Sequence, residues 1–256
     1  MQFSPFAYMG TEESAGLVDT GLSLYLDAGV VSSYPGSGSS WNDIAGVYAQ
    51  NFTLYNSPSH TSGDTGYFDF NGSSQYAANG TENVYVNTDS GSVEWTIETI
   101  SEADNIGGSG AYKALATVWH GTGNQIWWHG LSGATTGGIH WALRESGAAG
   151  GDSQFYNSSA IYSVNTLTHM VWKISYPNST LNAWINGTQV ITDDALTVDD
   201  LRAPIGGGYL DIGRQGAGNH WDGKIAVVRI YNEYGFSSSD VTQNYNYWRN
   251  TRGYNI

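Results

Sequence analysis

Asp222-Gly-Lys-Ile-Ala-Val-Val-Arg-Ile-Tyr-Asn232 is the stretch whose reading decides the fold. From Ile225 to Tyr231 only Arg229 interrupts an apolar run rich in β-branched and aromatic residues. That pattern and length suit a strand covered on both faces, and Asp222-Gly223 supplies a turn before it. A strand of this kind lies mid-sheet, where early and late parts of the chain meet. Beyond it, Ser237-Ser-Ser-Asp-Val-Thr-Gln-Asn-Tyr245 reads as a short helix. A serine there accepts the first free amides, and Asp240 complements the helix dipole.

Working outward, the chain has 256 residues, enough for one large β domain with a sizeable core. Glycine (34), tyrosine (18) and tryptophan (10) are abundant while charged residues make up only 12%. Turn residues interleaved with aromatics, without long amphipathic helical patterns, predict an all-β sandwich. The formal charge of −14 with nine Lys plus Arg offers no cationic cluster for phosphates, which argues against a nucleic-acid partner. It also argues against anionic membrane surfaces, and no apolar run reaches the length of a membrane span. A solvated acidic exterior is the plain reading of the charge; acidic loops that hold calcium are the sharper one. With no cysteine, disulfide and thiolate chemistry are excluded. The opening Met-Gln-Phe-Ser-Pro-Phe has neither the basic region nor the apolar core of a secretory signal.

Residues 1–20 carry few periodic apolar positions and read as an arm that would lie on something outside the core, such as a neighbouring subunit. Residues 21–256 read as one domain. Leu22, Leu24 and Leu26 alternate onto one face of a strand. Tyr67-Phe-Asp-Phe-Asn-Gly72 reads as a strand entering an Asn-Gly turn, with Tyr76 returning beyond it, and Val93–Ile100 is a strong strand. Short strands follow near 115–119, 125–129, 139–143 and 169–175. Leu181–Ile191 is a hairpin with Asn186-Gly187 at its tip. Strands at this spacing without intervening helices predict two packed antiparallel sheets, with Leu24, Trp95 and Val227 on the inner wall.

These landmarks carry a resemblance. Leu22–Ala28, Ser33–Asp43, Phe68–Gly72 with Tyr76, Trp95–Glu98, Leu181–Gly187, Gly223–Asn232, Val241–Tyr245 and the tail Arg252–Ile256 together resemble concanavalin A-like, laminin-G-like jelly rolls, in order over residues 22–256. The opening and the ending are similar to versions found in virion proteins of tailed bacteriophages. Between about 100 and 165 the family's landmarks fade, and the chain has its own aromatic-rich sequence.

Three kinds of site come into view. Retaining glycosidases of this fold use two glutamates spaced like Glu94 and Glu98, with an aspartate between; here Thr96 stands in between. Positions four apart in a strand are separated by ~13 Å, whereas retention needs carboxyls about 5–5.5 Å apart. The pair therefore reads as structural, and no catalytic residue is assigned. A second kind of site places indoles beside imidazoles: Trp127-Trp128-His129, His140-Trp141 and His220-Trp221 as carbohydrate- or partner-binding residues. Adjacent strand residues face opposite sides, so one member of each pair belongs to the core, and the Trp127-Trp128 doublet must send one ring outward. For metal, the histidine spacings match no zinc pattern. Asp193, Asp194 and Asp222, with the Asp199-Asp200 pair, are the candidate calcium donors, and jelly rolls of this type often hold calcium. No nucleophile elbow, phosphate loop or dinucleotide fingerprint occurs.

The resemblance implies a non-enzymatic virion surface protein, a capsid decoration or tail-associated protein made in the host cytoplasm. It would dock on other virion proteins through the arm and one edge. Carbohydrate binding by the opposite loops, with a host or environmental glycan as partner, is the secondary expectation. A symmetric homo-oligomer is the expected assembly. A glycoside hydrolase or lyase acting on a surface polysaccharide, and a free-standing lectin, are the alternatives. Turnover abolished by Glu94→Gln or Glu98→Gln would establish the first; a monodisperse saccharide-binding chain without a partner would be the second.

Overall fold

The computed structural model describes residues 16–48, 51–80, 94–106, 112–120, 124–132, 138–144, 153–157, 162–196, 209–216 and 218–256. Within its strands the side chains of 119–120, 124–129, 132, 142–144 and 153–157 lie outside that description. Two eight-stranded sheets face each other. The first contains β1 (Leu22–Asp27), β4 (Ser59–Thr61), β5 (Tyr67–Asn71), β7 (Glu94–Ala103), β12 (Thr168–Ser175), β13 (Thr180–Ile185), β14 (Thr188–Ala195) and β16 (Asp222–Tyr231). Its order is β14-β13-β12-β7-β16-β5-β4, with β1 also paired to β16. The second contains β2 (Ser40–Trp41), β3 (Phe52–Tyr55), β6 (Tyr76–Ala78), β8 (Tyr112–His120), β9 (Asn124–Ser132), β10 (Gly138–Arg144), β11 (Ser153–Asn157) and β15 (Tyr209–Ile212), in the order β11-β10-β9-β8-β15-β6-β3-β2. Every described strand pairing is antiparallel.

The decisive stretch is β16, which lies mid-sheet between β7 and two partners it takes in succession. Asp222–Ile225 pair with β5, and Val227–Tyr231 pair with β1. The handover happens at a bulge between Ile225 and Val227 in the ladder with β7. An extra residue in a ladder reverses the faces of everything after it. Ile225, Val228 and Ile230 therefore enter the core between the sheets, while Ala226 and Val227 turn to the outer side of the first sheet. Leu24 and Trp95 line the inner wall as the sequence predicts; Val227 does not, because strict alternation cannot anticipate the bulge. A register shift between Leu22 and Leu24 likewise moves Leu22 onto the outer cluster.

Between the sheets, Trp141 from the second sheet stands between Trp95 and Trp172 of the first, with ring centroids 5.3 and 5.2 Å apart. All three are fully buried, and tilted contacts of this kind add to what their buried area contributes. The Asn71-Gly72 turn does not make a hairpin: β5 and β6 belong to different sheets. The Asn71 side chain accepts hydrogen bonds from the amides of Ser73, Ser74 and Gln75, which turns the chain from one layer to the other. The Asn186-Gly187 turn is the hairpin tip predicted, with φ of 47° and 75° at its two residues, the left-handed pair that a two-residue type I′ loop demands.

The outer face of the first sheet is covered by the C-terminal segment, with residues 16–18 beside it. Helix α1 (Ser238–Asn246) starts at a capping box in which Ser237 and Asp240 satisfy each other's backbone amides, and a π-helical turn, Tyr247–Thr251, follows. Val241 packs with Val18, Val171, Trp184, Tyr231 and Phe236; Trp248 and Tyr254 pack on Ile100, Ala226 and Val227. Residues 16–18 run along the same helix, Val18 donating its amide to Asn244 Oδ1 at 2.8 Å and Gly16 accepting from Gln243 at 2.6 Å. The last residues of the expected arm thus lie on the domain's own helix; residues 1–15 lie outside the described residues.

Candidate functional site

Glu94 and Glu98 share the outer face of β7, but the side chains around them differ. Glu94 is half-buried and meets Lys173 at 3.3 Å. Glu98 is sealed under α1 and the π turn. Its Oε1 accepts from His169 Nε2 at 2.8 Å and Trp248 Nε1 at 2.9 Å. Its Oε2 accepts from Asn244 Nδ2 at 2.9 Å, the Tyr231 hydroxyl at 3.0 Å and Arg229 Nη1 at 3.2 Å. Burial by itself would raise the Glu98 carboxyl, yet the His169 hydrogen bond, the Arg229 charge and the Trp248 hydrogen bond outweigh it and bring it down to about 2. A carboxylate whose lone pairs are all taken, with no solvent access, holds elements together; it is out of reach of a substrate.

The indole–imidazole pairs divide as alternation requires. Trp141 and Trp221 are fully buried in the core between the sheets, so neither is open to a ligand. His140 is also buried and meets the Tyr112 ring in a tilted contact, with centroids 4.9 Å apart. These three are corrected from contact residues to packing residues. The side chains of Trp127, Trp128 and His129 lie outside the described residues; by backbone register Trp128 stands opposite Thr117, which stands opposite Asp211. His220 alone of the described members is part-exposed, on the second sheet's outer side near Tyr76, with ring centroids 6.3 Å apart.

The metal candidates do not converge. Asp193 and Asp194 sit on the edge strand β14, where Asp193 accepts from Asn182 Nδ2 at 3.1 Å. Asp222 begins β16, four strand spacings or roughly 19 Å away across the sheet. There it contributes to the negative field that, after burial and Asp104, pushes the Asp69 carboxyl up. Among the described residues no three His, Asp or Glu side chains are placed to share a metal ion. Asp199 and Asp200 lie outside the described residues.

What the structure does bring together was not assembled from the sequence. In β3, β6 and β15 the inward residues are Phe52, Leu54, Ala77, Leu210 and Ile212. The outward positions of the same strands are therefore Thr53, Tyr55, Tyr76, Ala78, Tyr209 and Asp211. With Gly80, Arg214 and Gly216, most of these line an open depression of about 540 Å³ on the outer face of the second sheet. Tyr55 and Tyr76, directly opposite in the ladder, stack at 4.4 Å with 10° between their planes. The Arg214 guanidinium lies 3.3 Å from the Tyr76 ring centroid, and its Nε donates to Asp211 Oδ2 at 2.8 Å. Burial raises the Asp211 carboxyl, opposed by the Arg214 hydrogen bond and charge. Burial lowers the His220 imidazole, and the Arg214 and Lys113 charges push it the same way. Tyr55 and Tyr209 keep 40% and 41% of their surface exposed, high for large aromatic side chains. The arrangement offers flat apolar rings beside oriented polar groups, which is the chemistry that holds a pyranose ring.

No family profile matches the chain, and no curated protein matches it in sequence. Solved structures do resemble it. The binding domain of Paraclostridial mosquitocidal protein 1 superposes with a TM-score of 0.67 at 16% identity, over 90% of this chain and 53% of that one. The binding domain of botulinum neurotoxin serotype D gives 0.61 at 13%, over 90% and 51%. A Trypanosoma rangeli sialidase gives 0.60 at 12%, over 90% and 33%. The chain thus spans about half the length of the two toxin domains and a third of the sialidase. None of the three brings with it the virion setting that the sequence resemblance implies. What they share with this chain is architecture, and the chain is an all-β jelly-roll sandwich of two antiparallel sheets with one short C-terminal helix.

Proposed function

We propose that this chain is a non-enzymatic carbohydrate-recognition module that takes a sugar ring in the depression on the outer face of its second sheet. The observation that carries this reading is the convergence of Tyr55 from β3 with Tyr209, Asp211 and Arg214 from β15 and the turn after it, backed by Tyr76, whose ring meets both Tyr55 and Arg214. Two neighbours of similar architecture are named as binding domains and a third as a sialidase, which is in keeping with a surface that recognises glycans. The closed environment of Glu98 favours binding over hydrolysis. The resemblance to phage virion modules supports a place on the surface of a particle, with other virion proteins and further copies of the chain as docking partners.

The test is a glycan array followed by calorimetry on the best binders. Saccharide binding that falls at least tenfold in Tyr209→Ala, with the melting temperature unchanged, is the expected outcome. Binding that survives both Tyr209→Ala and Tyr55→Ala would locate the site elsewhere. Release of reducing ends from any bound polysaccharide would make the chain an enzyme instead.

A further inference from the structure

Arginine side chains in this protein differ in what their terminal nitrogens do. Arg229 directs one terminal nitrogen to Glu98 and the other to the Val18 carbonyl. Arg252 places both on the Asp27 carboxylate at 2.7 and 3.2 Å, and reaches the Asp64 carbonyl as well. Among the described residues Arg214 donates a hydrogen bond through Nε, side-on to Asp211. Among the described residues no acceptor takes a hydrogen bond from either of its Nη atoms. Its plane is nonetheless fixed, by Asp211 at one edge and by the face of Tyr76 beneath it, with Tyr55 stacked against Tyr76 in turn. A guanidinium held flat, with two parallel N–H groups directed away from its own partners, matches the two oxygens of a carboxylate. Because it is already oriented, little side-chain entropy remains to be lost on binding.

The surroundings favour the same occupant. The chain as a whole carries −14, which discourages densely charged polyanions. At the depression, however, His220 meets the charges of Arg214 and Lys113 as well as that of Asp211, so two cations stand beside one carboxylate there. A site of this kind suits one acidic group on an otherwise neutral, ring-stacking molecule.

We infer that the ligand of this depression is a saccharide bearing a carboxylate, a uronic or ulosonic acid residue, whose acid group is received by the free fork of Arg214 while its ring lies against Tyr209. This rests on the carbohydrate-binding reading above and narrows it to a chemical class. The probe is an array carrying sialylated, uronate-containing, sulfated and neutral glycans, with calorimetric titration of the intact chain by the best binder and by its methyl ester. The bound glycans carry carboxylates. Esterification, which leaves the protein untouched, weakens binding at least tenfold. Arg214→Gln weakens binding of the acid by a similar factor but not that of the ester, and Arg214→Lys, which keeps the charge without the fork, falls between. Neutral or sulfated glycans bound with affinities that Arg214→Gln leaves unchanged would overturn the inference. If such binding is still lost in Tyr209→Ala, the broader proposal stands; if no glycan binds at all, both fall.

Discussion

Glu98 concentrates more of the fold's polar organisation than any other side chain described above. Five donors from β12, β16, α1 and the π turn converge on its two oxygens. With its ordinary value at 4.5 and its folded value at about 2, its contribution to stability is complete above pH 4.5 and is lost as pH falls toward 2. A shift of that size corresponds to about 3 kcal/mol. Urea denaturation across this range should show an acid limb that flattens in Glu98→Gln. At neutral pH the same variant leaves Arg229 buried without a counter-charge and should lose about 3–5 kcal/mol. Reading Glu98 as structural was possible from its spacing to Glu94, but its partners were not legible, since they lie 71 to 150 positions further along the chain. The candidate site was hidden for a related reason. Tyr55, Tyr209 and Arg214 belong to no local motif, and the adjacent Trp–His pairs place Trp141 and Trp221 in the core. Alternation in Phe52–Tyr55, Tyr76–Ala78 and Tyr209–Ile212, taken strand by strand, was the signal available.

Among the elements, those governed by local chemistry could be read and those governed by the ladder could not. The helix start in the serine run before Asp240, the Asn186-Gly187 loop and the strands near 115–119, 125–129, 139–143 and 169–175 follow from residue types within a few positions of one another. The bulge in β16 and the passage from β5 to β6 depend on which strand comes alongside, and sequence periodicity carries no record of that. Helix α1 gives a test at this scale. Ser237→Ala removes one side of the capping box and should cost about 1 kcal/mol. For a domain of this length that is a fall of roughly 2–4 °C in melting temperature. Because α1 positions Asn244 over Glu98, hydrogen exchange should rise in Val241–Asn244 before it rises in the core strands.

The molecule as a whole is closed by its tail. Arg252 pins Asp27, a fully buried carboxylate of β1, and Tyr254 packs beneath Trp248 on the sheet's outer face. Arg252→Ala strands Asp27 in the interior and should destabilise by about 3–5 kcal/mol, readable as a lower midpoint in chemical denaturation. The sandwich class itself was legible because aromatic and β-branched runs separated by glycine-rich turns admit few other packings. Ile256 packs on the outer side of the first sheet, whereas the tyrosine-lined depression opens on the second. A sensor surface, bead or fusion partner joined after Ile256 would therefore hold the sandwich by its back and leave the tyrosine-lined depression pointing into solution.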